Sequence, residues 1–179
     1  IEGTKNVGVT FVGWADLDGG TAVREKASNG IITVGDNSSG TNVSRKSILN
    51  VDITGGSENT GLLFSSAKPN SFNIEESTLN IGGDKNTGIF VAQGTVNYGS
   101  ATGSNAKINV TGTNSVGIFS AASNTMQSGA KISVTGTKSI GIYAEGAATT
   151  PIINTTGDIT ATGASVTGII ASKDSTITS

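Results

Sequence analysis

The residues of this 179-residue chain that could do chemistry are its carboxylate pairs. Asp16 and Asp18 stand two apart, and Glu75 and Glu76 are adjacent. Two acids facing one another across a cleft can cleave a glycosidic bond, one as proton donor and the other as base or nucleophile. The remaining acids do not join them. Asp52, Glu58, Asp84, Glu145 and Asp158 fall at different offsets of the chain's repeat and build no single cleft. There is no His and no Cys, so the Ser–His and Cys–His dyads are excluded. The segment DLDGG offers two carboxylates and a glycine, fewer acids than an EF-hand loop needs. The reading is a protein that is not an enzyme and carries no metal or other cofactor, its acids serving as surface charge. A polysaccharide-degrading enzyme is the distant alternative, and it would need two or three of these acids within reach of one another.

Binding has more support than catalysis. The single Trp, Trp14, lies in GWADLDGGTAVREKASNG, an insertion that also holds Arg24. A second irregular stretch, TNVSRKS, supplies Lys46, and a third is SSAKPNSFNIEES. Loops on a rigid scaffold are where binding concentrates. Trp14 either supplies an aromatic contact or pins its own loop to the scaffold.

The scaffold shows itself in glycines. Pairs five residues apart occur at Gly3/Gly8, Gly35/Gly40, Gly56/Gly61, Gly83/Gly88, Gly112/Gly117, Gly136/Gly141 and Gly163/Gly168. Alternating apolar segments precede them, as in LNVDITG, INVTG and ISVTG, and runs such as GIFVA, GIFSA and GIYAE follow. Strand, turn and strand therefore recur about every 27 residues. The composition, rich in Thr, Ser, Asn, Val, Ile and Gly, favours strands and turns over helix. The expectation is an all-β, right-handed parallel β-helix of about seven coils. Coils 1–48 are loop-rich and coils 49–179 regular, in one β-helix segment. The turn glycines supply positive φ or close backbone approach. Asn59, Asn86 and Asn114 are expected to stack as one hydrogen-bonded ladder, with Lys138 at a neighbouring offset.

Strand parity identifies the core. Leu49/Val51/Ile53, Leu79/Ile81, Ile108/Val110 and Ile132/Val134 share one face, with Asn50, Asp52, Asn80 and Asn109 on the other. After the turn, the parity of Thr60/Leu62/Phe64, Thr87/Ile89/Val91 and Val116/Ile118/Ser120 points inward. Leu63, Phe90, Phe119, Tyr143 and Ile170 then form an outer stripe, and such stripes mark contact surfaces. The alternative is that a bend after the glycine turns these side chains into the core.

The charge excludes some partners. A net charge of −2, with 13% charged residues, recruits neither nucleic acid nor acidic lipid. No apolar run is long enough to span a bilayer as a helix. The chain starts and stops within the repeat, without the polar caps that solenoids need, so it is expected to be an excerpt of a longer protein.

The strings NTGIFVAQGTVN, TGTNSVGIFSA and TGTKSIGIYAEGA resemble passenger-domain repeats of type V autotransporter adhesins, most closely the large fusobacterial outer-membrane autotransporters. The likeness covers the last four-fifths of the chain best. It implies a secreted, extracellular passenger with a role in cell adhesion and virulence, held at the bacterial surface by an outer-membrane barrel absent from this chain. The implied partners are host-cell glycans or receptors, or other bacteria. It carries no binding motif onto particular residues.

Overall fold

The computed structural model describes residues 1–12, 31–34, 49–65, 71–74, 77–99, 105–121, 124–146, 152–172 and 175–178. All regular structure in them is β, and every strand pairing is parallel. The strands stack in three columns, so each coil has three sides. Face I holds β1 (Val7–Val12), β4 (Thr60–Ser65), the first half of β7 (Thr87–Tyr98), β9 (Val116–Ala121), β12 (Ile140–Glu145) and β15 (Thr167–Ser172). Face II holds β2 (Ile31–Val34), β5 (Ser71–Ile74), the second half of β7, β10 (Asn124–Ser128), β13 (Ile152–Thr155) and β16 (Thr176–Thr178). Face III holds β3 (Leu49–Ile53), β6 (Ser77–Ile81), β8 (Lys107–Val110), β11 (Lys131–Val134) and β14 (Ile159–Ala161). The parallel β-solenoid expected from the repeat is the observed architecture.

The coil count differs from seven. Among the described residues, face I is six strands deep and face III five. The difference lies between β1 and β4. β1 pairs directly with β4, Val9 beside Leu62, so no rung stands between them. IITV before Gly35 looks like the strands of face III, yet β2 stacks on β5 in face II, Ile32 beside Phe72. The sequence after Gly40 lacks the Gly-Ile-Phe-type run that the other coils carry on face I.

Strand parity sets the core. Face III turns Ile53, Leu79, Ile81, Ile108 and Val110 inward, and face I turns Leu62, Phe64, Ile89 and Ile118 inward, all 2% exposed or less. Face II adds Ile74, which stacks on Tyr98, and the column Val96, Met126 and Ile153, which the repeat alone did not reveal. The inward parity of face I starts later than expected. Thr60, Thr87, Val116 and Ile140 stay partly exposed, while the glycine after each is buried. A Cβ on Gly61 or Gly117 would touch core side chains and a carbonyl of the next coil.

The first turn glycine works in two ways. Gly56 and Gly83 adopt φ of 72° and 73°. Gly112, Gly136 and Gly163 do not, but a Cβ on Gly136 would lie 1.8 Å from the Gly112 carbonyl oxygen. The left-handed position common to all these turns comes two residues later, where φ is 51–60° at Lys5, Glu58, Lys85, Asn114, Lys138 and Ser165.

Candidate functional site

One position after that left-handed residue, a polar side chain enters the core in successive coils. The Asn6 backbone N–H donates to Asn59 Oδ1 (2.9 Å), and the Asn59 N–H to Asn86 Oδ1 (2.8 Å). The Asn86 N–H donates to Ser115 Oγ (3.1 Å), and the Ser115 N–H to Ser139 Oγ (2.9 Å). Asn59, Asn86, Ser115 and Ser139 are at most 1% exposed. This corrects the expected ladder. Asn114 takes the left-handed position beside Lys138 in register, and Ser115 carries the ladder in its coil. The ladder stops where Val166 takes the same place, and the Ser139 N–H bonds Gly136 O of its own turn (3.3 Å).

Outside face III runs a second, exposed ladder. Asn80 Nδ2 donates to Asp52 Oδ1 (2.6 Å), and Asn109 Nδ2 to Asn80 Oδ1 (2.8 Å). At the corner, Lys5 pairs with Glu58 at 3.5 Å, and Asp84 accepts from Asn114 Nδ2 at 2.9 Å. These exposed pairs contribute little stability. They do occupy Asp52 on face III, and Glu58 and Asp84 at the corner, in structural contacts. Among the described residues no three acids gather as a metal site. Asp16, Asp18, Glu75 and Glu76 lie outside the described residues, as do Trp14, Arg24 and Lys46.

The outer wall of face I holds the other three candidate binding residues. Leu63, Phe90, Phe119, Tyr143 and Ile170 are consecutive register partners, each partly exposed. The rings of Phe90 and Phe119 stack with centroids 5.1 Å apart and planes 12° from parallel. Those of Phe119 and Tyr143 stack at 5.1 Å and 16°. The stripe therefore stands on the wall and is not turned into the core. Parallel pairing brings it together: each coil repeats Gly-x-[Leu/Phe/Tyr/Ile], and in-register stacking sets like residues one strand spacing apart. Each ring pair adds about 0.5–1.5 kcal/mol beyond its burial. Glu145 is the one charged residue on the outer side of this face among the described residues. The turn glycines Gly61, Gly88, Gly117 and Gly141 border the stripe. A Cβ on any of them would lie 2.6–2.7 Å from the carbonyl oxygen of the next coil's glycine. At Gly168, which has no following described rung of face I, the nearest atom is 3.6 Å away.

One buried polar cluster had no signal in the repeat. Tyr98 is fully buried, and its hydroxyl donates a long 3.4 Å bond to Lys107 O. Burial pushes its pKa well above the usual tyrosine range, and the Ser77 hydroxyl offsets this in part. Ser77 Oγ makes no hydrogen bond of its own, and it acts on Tyr98 as a nearby dipole. Ser128 and Thr155, successive register partners of Tyr98 on face II, also bury hydroxyls without a partner.

Comparison with family models, with curated proteins and with solved structures gives no match.

Proposed function

We propose that this chain is an extracellular segment of a bacterial autotransporter adhesin, attaching to host cells or partner bacteria through the outer wall of face I. The observation that carries this reading is the stacked row Phe90–Phe119–Tyr143, partly exposed on a wall with a single charge among the described residues. A parallel solenoid closes its backbone hydrogen bonds rung by rung and leaves strand edges only at its ends, which suits a long rod at a cell surface. An apolar row on such a rod is a contact element. The likeness of TGTNSVGIFSA and TGTKSIGIYAEGA to autotransporter passengers supports the same reading.

The test is adhesion of beads coated with the purified segment to epithelial cells and to other bacteria. Binding is expected to fall sharply in Phe119→Ser and Tyr143→Ser, and to persist in Asn109→Ser on face III. Equal binding of all three variants would overturn the assignment to face I.

A structural stalk is the second reading, favoured by the buried ladder from Asn6 to Ser139, which ties consecutive coils together. A folded segment that binds no cell supports the stalk.

A further inference from the structure

We infer that the corner between faces II and III is a binding site for one internal water, held between the hydroxyls of Ser128 and Thr155. The site lies inside the solenoid, so it stands or falls apart from the adhesive reading.

The two hydroxyls need a partner. Ser128 is 1% exposed and Thr155 3%. Neither Ser128 Oγ nor Thr155 Oγ1 makes a hydrogen bond within the chain. A hydroxyl buried dry loses its bonds to bulk water and gains nothing in return. Ala and Val would fill the same two places without that loss. Buried polar groups of this kind are met by internal water, which takes two to four polar partners.

Rung spacing selects the ligand. Ser128 and Thr155 are register partners on β10 and β13, both turned inward on adjacent rungs. Side chains so paired stand about 4.8 Å apart. A direct bond between hydroxyls needs about 2.8 Å, so the two cannot satisfy each other. One water about 2.8 Å from each oxygen closes the gap, with roughly 118° between its two bonds, near the tetrahedral angle.

Side-chain size leaves room at this corner. The inward column at the end of face II runs Ile74, Tyr98, Ser128, Thr155, two large side chains followed by two small ones. On the last two rungs the chain enters face III through Ala130 and Gly157, which are small again. One water takes about 30 Å³, less than the difference between a tyrosine and a serine side chain.

The polar groups at the corner are neutral. A Cβ on Gly157 would meet both Ala130 O and Gly129 O, the latter at 2.6 Å, so two carbonyls turn toward the Thr155 rung. Lys131 and Asp158, the charged residues nearest in sequence, are exposed. Hydroxyls that both donate and accept, beside carbonyls that accept, suit a neutral ligand that does both. Ser77, the third hydroxyl without a partner, lies two rungs from Ser128 on the far side of Tyr98 and is not part of this site.

A high-resolution crystal structure of the segment tests the site. A density peak is expected within hydrogen-bonding distance of both Ser128 Oγ and Thr155 Oγ1. No peak there overturns the inference. So does a peak with anomalous signal after a rubidium chloride soak, which would identify a cation. Urea unfolding tests it in solution. Thr155→Val keeps the side-chain shape and Ser128→Ala removes one atom, so both variants should fold. Each takes away one anchor of the water and strands the other hydroxyl, so each should lower the urea midpoint. The double variant should lose less than the sum of the two, because the second substitution has no bridge left to break. Were the hydroxyls dry, each substitution would delete an unpaired polar group and raise the midpoint, and the two gains would add. A midpoint unchanged or raised in either single variant therefore overturns the bridge.

Discussion

The backbone N–H of Asn59 donates to Oδ1 of Asn86, 27 residues later, at 2.8 Å in a buried site. Asn86 also returns bonds to the coil before it and to its own turn, Nδ2 donating to Gly56 O (3.4 Å) and Gly82 O (2.6 Å). One amide thus ties two coils and closes a turn. Asn86→Ala would leave the buried Asn59 N–H and Gly82 C=O without these partners, costing about 3 kcal/mol. Asn86→Ser keeps an acceptor of the kind that Ser115 and Ser139 supply, and should cost less than half as much. Urea unfolding of the two variants against the parent measures both.

The left-handed positions yield a second prediction. Lys138 has φ of 56°, is exposed, and its backbone N–H bonds Ala164 O in the next coil. A residue with a Cβ pays about 1–2 kcal/mol for that conformation. Lys138→Gly removes this strain but adds freedom to the unfolded chain, so a net gain of about 0.5 kcal/mol is expected. Lys138→Val, β-branched, should lose about 1–2 kcal/mol. Paired thermal melts give the two signs.

These turns show what was legible in the sequence. Alternation exposed faces I and III, because Ile108/Val110 and Ile118/Ser120 are two-residue periods between glycines. Face II stayed hidden: the inward positions of NTMQS hold Met126 and Ser128, a single large apolar side chain, so no alternation stands out there. The ladder was legible only in part, because a serine hydroxyl does in two coils what the Asn amide does in the others. Asn114, one residue early, drew attention away from Ser115. The coil count failed at IITVG, whose composition fits face III but whose β2 pairs in face II. The stripe was legible because in-register stacking turns a repeated residue type into a row.

That row should also stabilise the fold. Phe119 is stacked on both sides, so Phe119→Ala removes two ring contacts and should cost about 1–3 kcal/mol. Tyr143→Phe keeps its ring contact and should be within about 0.5 kcal/mol of the parent. Calorimetry of both separates the contribution of stacking from that of the tyrosine hydroxyl.

Tyr98 makes the fold sensitive to base. Its folded pKa is raised above the ordinary value of 10.0, chiefly by burial. The neutral phenol is therefore favoured in the folded state, and the unfolded chain releases its proton first as pH rises. The contribution is fully present below the unfolded pKa and is lost as pH climbs from about 10 toward the folded value. Stability should fall steadily above pH 10. In Tyr98→Phe that fall should be much reduced, with little change at neutral pH because the hydroxyl's bond to Lys107 O is long. Urea midpoints between pH 9 and pH 11 test this, and parallel curves for the two proteins would refute it.

Gly141 and Gly168 occupy the same offset in consecutive coils, and neither has positive φ, so they separate crowding from conformation. A Cβ on Gly141 would lie 2.6 Å from Gly168 O, a rigid backbone atom of the next rung. A Cβ on Gly168 meets only Ile159 Cγ2, at 3.6 Å, an ordinary contact. Gly141→Ala must push two rungs apart and break the spacing that their parallel hydrogen bonds require, at a cost of about 2–4 kcal/mol. Gly168→Ala meets no such wall. It also removes freedom from the unfolded chain, so it should be neutral or stabilise by up to about 1 kcal/mol. If the glycines served only backbone flexibility, the two substitutions would behave alike. Unequal unfolding midpoints, with Gly141→Ala far lower, would identify close approach between rungs as the reason for this glycine column.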